Sequence, residues 1–221
     1  MLYTDETGRF LIRYRIGNQY LMIAYYCNTN LILIETFQSR EDRHRIPAYT
    51  CIMTCLKTRG HVVDHQVLDN ESSKEYRRHI TDIWQATYQL VTPAVHRRNI
   101  SERAIRTFKA HLLSILAGIP ASSPNYLWDK LLPQTKFSIN LLRQSIIAPL
   151  TSLWEHFNGP FNFDATPLVS IGCRFLIHNK PSTQTYWDFH ARDGFNVYPA
   201  LEHYRCFQVN DTATKSKLRG H

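Results

Sequence analysis

The stretch "QYLMIAYYCNTNLILIETF", residues 19–37, decides the fold class because it contains two strand-like runs joined by a turn. Both runs are rich in aromatic and β-branched residues, which favour strands. The intervening "NTN", Asn28 to Asn30, has the short polar side chains of a tight turn. This part of the chain therefore predicts a β-hairpin.

The sequence after the hairpin predicts alternating helices and strands. In "EDRHRIPAYTCIMTCLKTRG", residues 41–60, apolar residues recur at helical spacing, and Gly60 is a natural residue just beyond a helix end. A strand, "HVVDHQVLDN", then stops at Asp69, and "SSKEYRRHITDIW" opens a second helix with a possible capping box of Ser72 and Glu75. A further strand, "TYQLVTP", and a long helix from about residue 99 follow.

Counting "LYTDETG" at the start as the first strand, the order is three strands, a helix, a strand, a helix, a strand and a helix. This order predicts an α/β fold with a ribonuclease H-like mixed five-stranded sheet flanked by helices. We expect this core over residues 1–120 and a helical extension over 121–160, bent or broken at Pro133. A small β-rich C-terminal segment is expected over 161–221.

Composition narrows the class of partner. The chain has 221 residues, 43% of them hydrophobic, and a formal net charge of +8. Such a charge favours a polyanionic partner, nucleic acid or an acidic membrane face, although a basic surface that serves only solubility gives the same total. No apolar run approaches a membrane span, no secretory signal opens the chain, and the five cysteines are odd in number and widely spaced. We therefore expect a soluble protein that is not secreted and does not span a membrane.

The segment "VHRRNISERAIRTFKAH", residues 95–111, is strongly basic but contains one acid, Glu102. At helical spacing, Glu102, Arg106 and Lys109 form a stripe beside the apolar face that includes Phe108. The simplest interpretation is a surface ion pair between Glu102 and Arg106. The basic residues of the segment are Arg97, Arg98, Arg103, Arg106 and Lys109.

Two upstream acids favour a functional interpretation of Glu102. Asp69 ends the fourth strand, and Asp5 lies in the first strand, which this topology makes central and adjacent to the fourth. Three carboxylates held close together repel one another unless a cation neutralises them. Carboxylate oxygens suit Mg²⁺ (or Mn²⁺), and a pair of such ions supports phosphoryl transfer. The sequence therefore predicts a site for two divalent ions at Asp5, Asp69 and Glu102.

Three motifs, "YTDETG", "VLDNE" and "RRNISERAIRTFK", carry these acids in an order that resembles the DDE integrase core of retroviruses and long-terminal-repeat retrotransposons. The similarity is greatest to the copia type. The spacing D-x32-E is slightly shorter than is usual in retroviral members. Outside the core, the similarity continues through "SINLLRQS", "SLWEHFNGPFNFDATPL", "IGCRFLIHNK" and "WDFHARDGFNVYPALEHYRCF", so it covers nearly the whole chain.

This resemblance implies DNA 3′-end processing and strand transfer by a two-metal polynucleotidyl transferase. Asp5, Asp69 and Glu102 would be both the catalytic and the metal-binding residues. Arg106 and Lys109 would match basic residues that contact the element's DNA end. The other basic residues of the segment 95–111 would add to DNA binding. The implied partners are element ends, target DNA and further copies of the chain. The implied location is the nucleus, after synthesis in the cytoplasm.

The sequence departs from the family pattern near the second aspartate, where Glu71 stands at a position that is commonly glycine. In addition, Asp5 is close to the start of the chain, so we expect a short first strand and a chain without the zinc module that precedes this core in integrases. An alternative is therefore a catalytically inactive, truncated, transposon-derived nucleic-acid-binding protein. A third candidate, a ribonuclease H-type nuclease, needs a glutamate on the first helix, for which Glu41 is a poor match.

Overall fold

The structure is a computed structural model that describes residues 1–9, 17–91, 100–120, 130–179, 182, 187, 189–212 and 217–220. The chain divides into two compact units, the first made of residues 1–112 and 136–160 and the second of 113–135 and 161–221. All three predicted acids belong to the first unit.

The first unit is built on a five-stranded sheet of order β3-β2-β1-β4-β5. β1 pairs antiparallel with β2 and parallel with β4, and β4 pairs parallel with β5. The predicted mixed sheet with a central first strand is confirmed. The strands are β1 (Leu2–Glu6), β2 (Tyr20–Tyr26), β3 (Leu31–Phe37), β4 (His65–Leu68) and β5 (Thr87–Leu90). The α-helices that lie wholly or partly in this unit are α1 (Asp42–Lys57), α2 (Lys74–Arg78), α3 (Ile100–Ala117), α4 (Leu132–Leu142) and α5 (Leu153–Asn158), and a π-helical segment, His79–Ile83, continues α2.

Both faces of the sheet are buried at β2 and β3, as expected for strands covered on each side, whereas the edge strand β5 is mostly exposed. On β2, Met22 and Ala24 join a core cluster with α1, whereas the alternating Leu21 and Ile23 are buried outside that cluster. The hairpin turns at Asn30, which has φ of 77°, and its two strands pair along their full length. The predicted hairpin is confirmed.

The helices follow the predicted periodicity with two differences. α1 buries Tyr49, and α3 buries Phe108, which is fully shielded from solvent. The residue that caps α2 is Ser73 and not the predicted Ser72: the Ser73 side chain accepts from the Tyr76 N–H, and Ser72 still lies in the turn after β4, where its N–H donates to the Asp69 carbonyl. Pro133 lies in the first turn of α4, where its missing N–H is tolerated, so it begins the helix and does not break it.

The second unit contains a four-stranded antiparallel sheet of order β6-β7-β8-β9. The predicted small C-terminal β structure is confirmed. Its strands are β6 (Arg174–His178), β7 (Ala191–Pro199), β8 (Phe207–Asp211) and β9 (Lys217–Gly220). None of the helices in the described ranges is both long enough and apolar enough to cross a membrane.

Candidate functional site

Asp5 and Asp69 lie side by side at the carboxyl ends of two neighbouring parallel strands. The ladder between β1 and β4 pairs Leu2 with Gln66 and Tyr3 with Val67. Extending this register by two residues on each strand brings Asp5 next to Asp69. Side chains at the carboxyl ends of parallel strands face the crevice in which α/β proteins bind ligands.

The two aspartates are oriented by the same local contact. The backbone N–H of Glu6 donates to Asp5 Oδ1 at 2.6 Å, and that of Asn70 donates to Asp69 Oδ1 at 2.7 Å. Asp5 is partly buried, whereas Asp69 is exposed. Each carboxylate is therefore held by its own backbone and keeps its second oxygen available as a hard ligand.

Burial is the main cause that raises the pKa of Asp5 above its usual value. The Glu6 N–H and Lys109 lower this pKa, while the negative charges of Asp69 and Glu102 raise it further. Three of the residues predicted for the site thus act on one carboxyl group. A divalent cation would relieve both the burial penalty and the repulsion.

Glu102 lies in the first turn of α3 and is partly buried. It is near enough to act on the charge of Asp5, but it does not join both aspartates in a coordination cluster. In the described ranges, no three His, Cys, Asp or Glu side chains are close enough together to hold a metal ion. The carboxylates that could hold one are Asp5 and Asp69, and Mg²⁺ is commonly bound by one or two carboxylates together with waters and substrate phosphates.

The predicted basic residues on α3 are Arg103, Arg106 and Lys109, and all three are exposed. The positive charge of Lys109 lowers the pKa of Asp5. Burial raises the pKa of Tyr25 in β2, and the charge of Arg103 lowers it in part. The first half of α3 therefore brings positive charge to the sheet face that carries Asp5. Arg97 and Arg98 lie outside the described residues.

A pocket of about 100 Å³ adjoins the two aspartates and contains arginines that the sequence interpretation missed. Arg45 is 8% exposed, and its Nε lies 2.6 Å from Glu6 Oε1. Arg40, at the mouth, lies 3.7 Å from both Glu6 and Glu71. The charge that Glu71 adds near the site is thus partly balanced by Arg40. The pocket is lined by Thr4, Asp5, Glu6, Met22, Arg40, Arg45, Leu68, Asp69, Glu71, Ser72 and Tyr76.

A signal for Arg45 exists in the sequence. Arg45 has the same helical phase as Tyr49, Ile52 and Leu56, which form the buried face of α1. An arginine in that phase must be paired to be buried. Its partner Glu6 is two residues after Thr4 on β1, so the two side chains face the same side of the sheet.

Asp5→Asn is expected to raise the melting temperature of the metal-free protein by a few degrees at neutral pH. A carboxyl whose folded pKa is raised contributes stability only while it is protonated, and this contribution is lost as the pH rises through the folded pKa. Asparagine resembles the protonated form and keeps the Oδ1 acceptor for the Glu6 N–H. Thermal unfolding in a chelator should show the difference at pH 7 and its loss below about pH 4. A variant no more stable than the wild type at pH 7 would contradict this electrostatic description of Asp5.

Comparison with solved structures shows which fold the chain shares. A chain of the simian T-cell lymphotropic virus intasome, solved in complex with the PP2A regulatory subunit B56 gamma, matches 99% of this chain over 74% of its own length, with a TM-score of 0.55 and 14% identity. The HTLV-2 integrase catalytic core domain in complex with magnesium matches 71% of this chain. Its trimeric form gives a TM-score of 0.52 at 16% identity over 95% of its length, and its dimeric form gives 0.51 at 15% over 94%.

No protein-family model and no curated protein matches the chain. At this level of identity, the likeness to solved structures shows a common fold. The chain has the ribonuclease H-like fold of retroviral integrase catalytic cores, and the predicted fold class is confirmed.

Proposed function

We propose that the chain is the integrase core of a copia-type long-terminal-repeat retrotransposon and carries out metal-dependent DNA 3′-end processing and strand transfer. The observation that carries the proposal is the adjacency of Asp5 and Asp69 at the carboxyl ends of β1 and β4. The charge of Lys109 lowers the pKa of Asp5 and that of Glu102 raises it, which supports a common site for the three residues. The short first strand is paired on both sides, so it is not displaced from the sheet.

Asp5 and Asp69 would hold the divalent ions, Mg²⁺ or Mn²⁺, with Glu102 contributing from α3. The donor set fits because carboxylate oxygens are hard ligands, and the pKa of Asp5 is raised in a way that a cation would reverse. When bound, such ions activate the attacking oxygen and neutralise charge on the phosphate. The protein's own part is to orient the two carboxylates through the Glu6 and Asn70 N–H groups and to keep Asp5 partly shielded from water.

DNA would bind along the exposed basic side chains of α3. Its phosphates would lie near Arg106 and Lys109, and Arg103, Arg97 and Arg98 would make further contacts. The net charge of +8 supports a polyanionic partner. By analogy with the HTLV-2 core, which was solved in dimeric and trimeric forms, we propose that the chain assembles as a homo-oligomer on DNA. The site of action would be the nucleus.

The variant Arg106→Ala/Lys109→Ala should weaken binding to duplex DNA and reduce the slope of log K against log salt by about 2, because two phosphate contacts are lost. The matched control is Arg43→Ala/Lys57→Ala, which removes two exposed charges from α1. Its salt slope should equal that of the wild type. Fluorescence anisotropy at several salt concentrations gives the slopes, and equal slopes for both double variants would contradict a specific role for α3.

A second candidate is an inactive DNA-binding protein that keeps the fold and the basic helix. It is favoured by one observation: within the described part of the chain, no third acidic, histidine or cysteine side chain lies close enough to Asp5 and Asp69 to complete a metal cluster. Such a protein would bind DNA with strong salt dependence but without any effect of Mg²⁺.

A strand-transfer assay distinguishes these functions. Purified protein is incubated with a short labelled duplex, a supercoiled plasmid and Mg²⁺ or Mn²⁺, and nicked or joined products are separated on a gel. The integrase proposal expects products that depend on the metal and disappear with a chelator. Salt-dependent DNA binding without metal-dependent nicking or joining would favour the inactive protein.

A further inference from the structure

Beneath β1, on the face opposite to Asp5, lies a chain of buried polar side chains that the proposed chemistry does not use. Gln66 Nε2 donates to Thr4 Oγ1 at 2.8 Å, and the Tyr49 hydroxyl donates to Gln66 Oε1. Thr4 is 7% exposed, and neither Gln66 nor Tyr49 has any exposed surface. We call Thr4, Gln66 and Tyr49 the buried clamp. It joins β1, β4 and α1 by side chains alone.

The clamp spans the backbone pairing between β1 and β4 and reaches Thr4, just beyond the point where that pairing stops. The ladder ends at Tyr3 and Val67, and the aspartates come two residues later on each strand. Asp5 pairs with Ile23 of β2, but no backbone pair is formed between Asp5 and Asp69, so their separation depends on what holds β1 and β4 together before them. The Thr4 to Gln66 bond crosses diagonally between the strands, from Gln66 in the first pair of the ladder to Thr4, which follows the last pair and immediately precedes Asp5.

Burial makes this link specific. An amide with no exposed surface has no water to replace a lost partner, so the strands are held in the register that satisfies Gln66 at both ends. A shift of β1 by one residue would turn Thr4 to the other face of the sheet and take its hydroxyl away from Gln66 Nε2. The clamp therefore favours one alignment of the two aspartates.

We propose that Thr4, Gln66 and Tyr49 are positioning residues for the metal site, setting the spacing between the carboxylates of Asp5 and Asp69. This inference rests on the proposed function for its metal, but the alignment of β1 with β4 is a property of the metal-free chain. It gives these residues a role that could not be read from the acidic motifs.

The sheet contains a matched bond for a control. Asn18 Nδ2 donates to Thr36 Oγ1 at 2.8 Å, again from a buried amide to a threonine hydroxyl. Thr36 is on β3, which carries none of the predicted acids. Thr4→Val and Thr36→Val each remove a threonine hydroxyl that accepts from an amide, in a buried bond at Thr4 and a partly buried bond at Thr36. Thr4→Ser keeps the hydroxyl at the clamp.

The test measures Mn²⁺ affinity by calorimetry for the wild type and these three variants. Thr4→Val should weaken binding about tenfold, in line with residues that orient metal ligands, whereas Thr4→Ser and Thr36→Val should bind like the wild type. Tyr49→Phe, a milder change at the other end of Gln66, should give a smaller loss and serves if Thr4→Val does not fold. Equal affinities for Thr4→Val and Thr36→Val would overturn the inference. If Thr4→Val does not fold, equal affinities for Tyr49→Phe and the wild type would overturn it.

Asp5→Asn and amide hydrogen exchange separate this inference from the proposed function. If the wild type binds no Mn²⁺, or if Asp5→Asn binds it equally well, the proposed metal site is wrong. Hydrogen exchange without metal then decides the remaining question. Thr4→Val, or Tyr49→Phe if Thr4→Val does not fold, should speed exchange in β1 and β4 more than Thr36→Val does, and no such difference would overturn the clamp.

Discussion

Asp69→Asn is expected to abolish metal-dependent strand transfer, with a loss of more than about 100-fold, since even the outer partners of metal ligands are commonly worth 10 to 100-fold. Asp69 is exposed at the end of β4 and adjoins Asp5 in the register of the sheet. Asparagine keeps the Oδ1 acceptor for the Asn70 N–H, so the turn after β4 should be unchanged. The variant loses a negative charge and a hard ligand but no packing.

The matched control for Asp69→Asn is Glu71→Gln. Glu71 is two residues away, its side chain is 79% exposed, and its ion pair with Arg40 spans 3.7 Å. Removing this charge should leave strand transfer within about twofold, because exposed ion pairs contribute little. Product formation and circular dichroism are compared for the wild type and both variants. Wild-type activity in folded Asp69→Asn, or an equal loss in Glu71→Gln, would contradict the assignment of Asp69.

Arg45→Met is expected to lower the free energy of unfolding by about 3 to 5 kcal/mol, because it leaves the Glu6 carboxylate, whose side chain is 17% exposed, without its main partner. Arg45 Nε is 2.6 Å from Glu6 Oε1, Nη2 donates to Glu6 Oε2 at 3.3 Å, and the guanidinium lies 5.7 Å from the centre of the Tyr76 ring. Such a loss is a large part of the roughly 5 to 15 kcal/mol that stabilises an ordinary domain. Urea unfolding followed by circular dichroism measures it.

Two further variants separate charge from packing at Arg45. Arg40 reaches the same Glu6 carboxylate at 3.7 Å from a side chain that is 47% exposed, so Arg40→Ala should cost less than about 1 kcal/mol. Glu6→Met/Arg45→Met removes both charges and should recover most of the loss. If the double variant is as unstable as Arg45→Met, the ion pair is not the cause.

The effect of Arg45→Met should also depend on pH. Burial already raises the pKa of Glu6, and the charges of Arg45 and Arg40 lower it in part. Without Arg45, Glu6 avoids its unpaired charge by binding a proton. The loss should therefore be full at neutral pH, where the unfolded carboxyl is ionised, and smaller in acid.

Local patterns were sufficient to predict the main elements of the fold. The turn at Asn28 to Asn30 and the helical phase of α1 and α3 depend on neighbours in the sequence, and all appear as predicted. The cap of α2 differs by one residue because Ser72 and Ser73 offer the same hydroxyl. Ser72 lies in the turn after β4, where its N–H donates to the Asp69 carbonyl, and helical periodicity alone does not show where that turn ends and the helix begins.

The site was predictable only in part, because its support comes from distant pairs. Strand order was enough to bring Asp5 beside Asp69. Glu6 meets Arg45 across 39 positions, and Thr4 meets Gln66 across 62, so no local spacing relates them. An arginine among "EDRHR" resembles a solvated helix start until its phase with Tyr49 is compared. The separation of Glu102 from the aspartates depends on how α3 packs, which the motif spacing does not determine.

Crystals soaked in Mn²⁺ test the central claim most directly, because anomalous scattering locates the ion without any assumption about DNA. We expect a peak at the carboxyl ends of β1 and β4, about 2.1 Å from carboxylate oxygens of both Asp5 and Asp69, with Glu102 turned toward it. The same crystals of Asp69→Asn should lose this peak. No peak at this edge of the sheet under saturating Mn²⁺ would contradict the account and leave the chain as a DNA-binding protein with an integrase fold.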